Sequence, residues 1–379
     1  MAEATDGEGA TPLHQSLPDE IVIWEVLVRL PPKSLLRCRA VCRAWSRATS
    51  TRDFLVAHHV RQPNLPLVCD FRKSGIDVVP FDHQAGVAAA GQLQPLARLD
   101  TTLSNMVASC DGLFLLSDDD DTKFSICNPT TRQYAPLHQL DDYAQHEELD
   151  FTVLAMYPHS PTGEYRLLVE LRLDADQARL FVFTIGSTDP PRHLGCPDAW
   201  EEIHDAWEEI HPASVLIHGS LHWYIGHTIM VFDTTAESFR QMRSPVVSGV
   251  ADLFQIGGTL GISSFNYGVT VADIWAMEDY EGEVWAFKQK VELPVAELGK
   301  QFGEYYEDWC VFVQSWDGDF FGLAKFAEGL LHIDMDGKLV ASFHGEMLGL
   351  SPLWLKQTLV QHAFFATLEG YVVNGPPFV

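Results

Sequence analysis

Between Ile21 and Leu30 the chain reads IVIWEVLVRL, with only Glu25 and Arg29 interrupting the apolar side chains. The spacing predicts a helix, and a helix this apolar is buried on nearly every side. Pro18 suits its first turn, where a missing N–H costs nothing. Asp19 and Glu20 place negative charge at the positive end of the helix dipole. Pro31-Pro32 ends it, because proline pushes the preceding residue out of α geometry. Pro32 then opens a second short helix through Cys38, and a third is predicted from Val41 to Ala48. Val41, Cys42 and Trp45 share one face of the third helix, and Arg39, Arg43 and Arg47 form an i, i+4, i+8 stripe on another. A unit of about 45 residues rarely builds a core able to cover so apolar a helix. Large exposed apolar patches on proteins mark interaction sites, so a partner is expected there.

Beyond His58-His59 the pattern changes. Pro63 and Pro66 mark a linker, and brief apolar runs separated by Gly, Asp, Asn and Pro replace the helical spacing. That is the pattern of an all-β domain. Strands are expected within 107–117, 123–137, 151–158, 165–173, 179–185, 215–226, 228–242, 259–266, 271–278 and 283–293. Three later runs, the last of them AFFATL at 363–368, extend the series. A loose repeat runs through them. Asp111-Gly112, His218-Gly219, Gly258 and Gly318 each open a unit. An inner strand, a hairpin, a strand ending in Asn or Asp and an outer strand follow. That is the order of a propeller blade, and six or so blades fit the length. A β-sandwich is the alternative. The expected organisation is therefore multidomain: a disordered N-terminus at 1–12, a small all-α trihelical domain at 13–58, a linker at 59–68 and an all-β domain at 69–379.

Charge divides the same way. The chain carries a net −27. Residues 13–62 hold eight Lys/Arg against four Asp/Glu, a net of +4, and residues 1–12 add three acids. The remainder is therefore at −28, and two modules with different partners are implied. A large acidic domain repels phosphates, which argues against nucleic acid. No run of 18 or more apolar residues crosses a membrane, and the acidic MAEATDGEGATP does not look like a signal peptide. Seven cysteines, scattered and odd in number, suit reduced thiols in the cytoplasm or nucleus. Cys38 and Cys42 read as small buried hydrophobes, with no second ligand pair for a metal.

The order Leu-Pro-Asp-Glu, apolar helix, Arg-Leu-Pro-Pro-Lys-Ser-Leu-Leu-Arg, Val-Cys-Arg-Ala-Trp resembles an F-box of the plant families from Leu17 to Phe54. The resemblance implies docking on the Skp-family adaptor of an SCF ubiquitin ligase, and through it on cullin. By position the adaptor-facing residues would be Leu17, Pro18, Ile21, Val22, Val26, Leu27, Leu30, Leu35, Leu36, Val41, Cys42 and Trp45. Ile23 and Trp24 depart from the pattern by their bulk. CDGLFLLS…ICNPTTRQYAPL and HGSLHW…MVFDTTAESFRQM resemble the F-box-associated domain, a kelch-like β-propeller. It implies a domain that binds a protein target.

Other features read as structural. DAWEEIH occurs twice in succession at 198–211, a duplication expected in a surface loop rather than a metal cluster. Asp118 to Asp121 reads as a solvated hairpin tip, lacking the spaced ligands of a calcium loop. His218 and His222 share a strand face by chance. Trp223, Trp275 and Trp285 sit in strand patterns and read as core. No nucleophile elbow, phosphate loop, zinc-binding His-Glu-x-x-His or dinucleotide fingerprint occurs, so no cofactor or catalytic residue is expected. The alternatives to a ligase receptor are an adaptor-bound interaction protein without ligase function, and a propeller enzyme.

Overall fold

The computed structural model describes residues 17–72, 75–82, 93–100, 105–145, 150–172, 178–197, 200, 214–247, 249–266, 268–295, 298–299, 310–316, 319–326, 329–344 and 347–379. The expected disordered N-terminus and most of the duplicated heptad, including His204, Trp207 and His211, lie outside them. The chain divides into two compact units. One comprises residues 1–63 with 357–360, and the other comprises 64–356 with 361–379.

In the first unit the apolar run is not one regular helix. It begins as α1 (Asp19–Ile21), widens into a π turn over Val22–Val26 and tightens into a 3-10 turn over Leu27–Arg29. Four β-branched residues in its first six, Ile21, Val22, Ile23 and Val26, lower its α propensity. The change of pitch turns two successive residues, Leu27 and Val28, inward together. Next come α2 (Pro32–Arg39), α3 (Arg43–Ala48) and α4 (Arg52–Arg61). The third helix is thus shorter than predicted. Val41 precedes it, and Cys42 is its N-cap, with Sγ accepting from Trp45 N at 3.4 Å. Arg39 ends α2 instead of joining Arg43 and Arg47, so the three arginines do not form one helical stripe. Thr51 caps α4, accepting from Phe54 N. The expected linker is occupied: α4 runs to Arg61, and the first strand begins at Asn64.

The second unit contains six sheets. Blade 1 takes β1 (Asn64–Arg72), β2 (Gly75–Pro80) and β3 (Ala97–Leu99). Blade 2 follows with β4 (Asn105–Cys110), β5 (Leu113–Ser117), β6 (Phe124–Asn128) and β7 (Gln133–Pro136). A helix, α5 (His138–Ala144), leads on to blade 3, built of β8 (Asp150–His159), β9 (Glu164–Arg172), β10 (Ala178–Thr184) and β11 (Arg192–Leu194). Blade 4 is β12 (Val215–Ile217), β13 (Ser220–Ile225), β14 (Thr228–Asp233) and β15 (Ser238–Arg243). Blade 5 is β16 (Val250–Ile256), β17 (Thr259–Phe265), β18 (Val271–Asp279) and β19 (Val284–Glu292). Blade 6 is β20 (Cys310–Trp316), β21 (Asp319–Phe326), β22 (Gly329–Ile333) and β23 (Leu339–His344). The chain then returns as β24 (Leu348–Lys356), which pairs with β1 and closes the ring. A short β25 (Val372–Val373) adds a fifth strand to blade 2. The domain is a six-bladed β-propeller. The run at 363–368, read as a strand, is a 3-10 turn over Ala363–Thr367.

Alternate residues of one strand serve opposite neighbours. Leu167 and Val169 pack toward blade 2, while Leu168 packs toward blade 4. Leu67 and Cys69 join the cluster with blade 2, while Val68 joins the one with blade 6. Every sheet is therefore covered on both faces, which explains why the strands read as apolar runs rather than clean alternation.

The turns follow from the repeat. Asp111-Gly112, His218-Gly219 and Gly257-Gly258 all have positive φ at both central positions, the requirement of a type I′ hairpin. The strand after this turn is the second of its blade, not the innermost. The inner strands are β4, β8, β12, β16, β20 and β24. The Asn or Asp ending the third strand closes the next turn. Asn128 Oδ1 accepts from Thr130 and Thr131 N–H, Asp233 Oδ1 from Thr235 and Ala236, and Asp334 Oδ1 from Asp336 and Lys338. These are Asx turns, in which a short side chain stands in for backbone pairing.

Candidate functional site

The helical unit has a small core of Leu27, Val28, Leu35 and Phe54, joined by Leu359 from the returning chain. His58 lies one turn after Phe54 on α4 and is fully buried. Its Nε2 meets Leu30 O at 2.8 Å, tying α4 to the end of the apolar run. Burial holds the imidazole below its ordinary pKa, and the nearby Arg39 and His59 charges act in the same direction. Arg39 itself is half-buried, donating from Nε to Thr49 Oγ1 at 3.0 Å.

Outside this core lies an apolar face. Leu17 is 62 % exposed, Val41 69 %, Leu36 46 %, and Ile21 and Val26 45 % each. Pro18 and Cys42 are exposed as well, while Val22, Leu30 and Trp45 are half-buried. Ten of the twelve sequence-derived positions thus reach solvent. Leu27 and Leu35 do not, at 2 % and 0 %, and they are core residues. The reason is local: the pitch change sends Leu27 inward, and adjacent residues of α2 send Leu35 in and Leu36 out. Cys42, expected to be buried, is exposed because it precedes α3. Trp24 finds partial cover against Phe54, with ring centroids 5.6 Å apart. Lys33, Arg37, Arg43 and Arg47 are exposed and add positive charge to the unit.

In the propeller, a central cavity of about 720 Å³ lies between inner strands β4, β8, β12 and β24. Asn64, Asn105, Asp111, Gln255, Trp354 and Lys356 supply its mixed lining. Among the described residues no group of three His, Cys, Asp or Glu is placed to hold a metal. Burial pushes Asp252 of β16 up to about 6. Elsewhere the charged groups lock blades together. Glu237, 7 % exposed in side chain, takes Tyr157 OH at 2.7 Å, Arg166 Nη1 at 2.8 Å and also Arg192. His222 is fully buried, with Nδ1 at 3.1 Å from Val215 O and Nε2 at 2.8 Å from Tyr280 OH, and burial lowers its pKa to about 4. Its position is therefore structural rather than fortuitous. Asp118 and Asp121 organise their turn, Asp118 Oδ1 accepting from Thr122 and Lys123 N–H, and Asp121 pairing with Ser117. Trp223 is core, as expected, but Trp275 and Trp285 are only half-buried. Trp200, the first tryptophan of the duplicated heptad, is 2 % exposed between blades 3 and 4 and donates from Nε1 to Glu170 at 3.1 Å. That residue is not in a free surface loop.

Comparison with known proteins gives the same two parts. An F-box-like family model matches residues 14–62, and a model described as F-box associated beta propeller domain matches 91–315. Curated relatives from Arabidopsis thaliana include F-box protein At3g07870, 23 % identical over 74 % of this chain and 73 % of that one. F-box only protein 8 is 25 % identical over 62 % of this chain and 81 % of that one. Among solved structures, a chain of a nidogen/laminin complex is similar at a TM-score of 0.41 and 10 % identity, covering 75 % of this chain and 98 % of that one. With its F-box-like module ahead and more than half its length inside the second match, the chain belongs to the F-box proteins that carry an F-box associated beta propeller domain.

Proposed function

We propose that this protein is the substrate receptor of an SCF ubiquitin ligase. The F-box face docks a Skp-family adaptor and through it cullin, and the propeller holds a protein target. The observation that carries the reading is the apolar face itself: five large side chains at 45–69 % exposure around a core of only five buried ones. Basic residues around that face favour an acidic adaptor and faster encounter. The mechanism is proximity. Two binding sites on one chain raise the effective concentration of target lysines beside the conjugating enzyme, and no residue of this chain performs covalent chemistry. Cytoplasm and nucleus, where thiols stay reduced, are the compartments this assigns. All seven cysteines are free, which supports it.

Leu36→Asp combined with Val41→Asp is the test, because both side chains are exposed and the fold should survive. Co-purification with the adaptor should fall at least about a hundredfold, as for loss of a buried interface anchor, with thermal stability unchanged. Wild-type protein that recovers no adaptor would sink the proposal. Target half-life separates a receptor from a ligase-independent adaptor binder: it lengthens on removal of a receptor only.

A further inference from the structure

Residues 357–360 belong to the helical unit although they lie nearly three hundred positions after it. Leu359 is 7 % exposed and packs in the cluster of Leu27, Val28, Leu35 and Phe54. Thr358 is fully buried, and its hydroxyl meets His59 Nδ1 at 2.9 Å. The residue just before this segment, Lys356, ends β24, the ring-closing strand. Its partner across the ladder is Asn64, the first residue after the helical unit. Two of the three chain connections to the F-box therefore leave from the two members of one cross-strand pair, whose Cα atoms in such ladders sit roughly 5 Å apart. The third, from Val360 to Gln361, leads on to Phe365 in the cluster between blades 2 and 3 and to β25 on blade 2.

We infer that residues 357–360 are a strap that makes the F-box docking face conditional on seating of the propeller's C-terminal strands, β24 before the strap and β25 after it. This deepens the adaptor reading and rests on it. The exposed side chains are neighbours in sequence of the buried ones that share a cluster with Leu359: Val26 precedes Leu27, and Leu36 follows Leu35. A face built on so small a core depends on every member of that core. With β24 seated on β1, the strap is delivered within a few residues of the end of α4. With β24 and the following segment through β25 both detached, the same strap hangs at the end of a loop of roughly three hundred residues. Its local concentration then falls by roughly two orders of magnitude, following the three-halves power of loop length. A chain whose propeller is unfinished or opened then presents a weakened docking face. Only a receptor with an intact target-binding domain competes fully for the adaptor.

The test uses the full-length protein and amide hydrogen exchange alongside adaptor titration. Leu359→Asp should raise exchange across 52–61 at least tenfold and weaken adaptor binding at least tenfold, with the ladders of blades 3 and 4 unchanged. Leu359→Ala, a milder change that keeps the fold, should move both in the same direction by less. Leu350→Pro combined with Val372→Pro, which breaks the β24–β1 ladder at Val68 and the β25–β7 ladder at Tyr134, should also raise exchange across 52–61. Unchanged exchange there in Leu359→Asp overturns the strap, and unchanged exchange in the Leu350→Pro/Val372→Pro double variant overturns its link to the propeller's C-terminal strands. Exchange judges both without any adaptor, so a wild type that binds none defeats the docking reading separately.

Discussion

The two units handle apolar side chains in opposite ways. The propeller splits each strand between two interblade clusters, so its apolar residues find cover within the ring. The F-box unit has one cluster and exposes Leu17, Ile21, Val26, Leu36 and Val41 around it. Exposure in the second case is what the proposed docking requires, since a partner's surface would complete the burial. The same difference sets their resilience. A propeller side chain is lost from one cluster among six, whereas an F-box core residue is lost from the only cluster its unit has among the described residues.

Phe54→Ala should break the comparison most visibly. It removes a fully buried ring, at a cost of about 3–5 kcal/mol. Helical ellipticity should collapse while the β signal and blade amides persist, and joint unfolding of both parts would refute their independence. Acid should act next. His222 has its pKa lowered to about 4 by burial, so it contributes stability above the ordinary value near 6.5 that is lost as pH falls toward 4. The loss reaches about 3 kcal/mol, and His222→Gln should flatten that part of the melting profile. His58 is lowered by the same cause, so the helical unit should also weaken below about 6.5. A smaller effect sharpens the contrast within the propeller. Asp233→Ala removes two turn hydrogen bonds and should cost about 1 kcal/mol, read as faster exchange at 234–238 alone.

Much of this was legible in the sequence. The F-box pattern, the glycine turns and the Asn or Asp closing the third strand in blades 2, 4 and 6 are local signals with local causes, and the blade number followed from length. Blade 1 was missed because β1 begins where prolines suggested a linker, and because its innermost strand is β24 from the far end of the chain. The inner strands were misplaced because their positions mix polar and apolar residues, so that Asn105, Asp252 and Gln314 interrupt the pattern. Of the twelve positions the resemblance placed toward an adaptor, ten reach solvent. Leu27 and Leu35 were invisible as core because the π turn that points Leu27 inward breaks the regular period on which the assignment relied. Leu359 left no signal at all near the helices it supports.

The duplicated heptad gains meaning from the double coverage of the sheets. It lies between the end of β11 at Leu194 and the start of β12 at Val215. Seven is an odd number, so the same insertion inside a strand would reverse which side chains face which neighbour from that point on. Between blades it shifts nothing. The repeat is thus a record of where this chain can change length: an addition between two strands leaves the alternation of each as it was, while Trp200 still fills the cluster between blades 3 and 4.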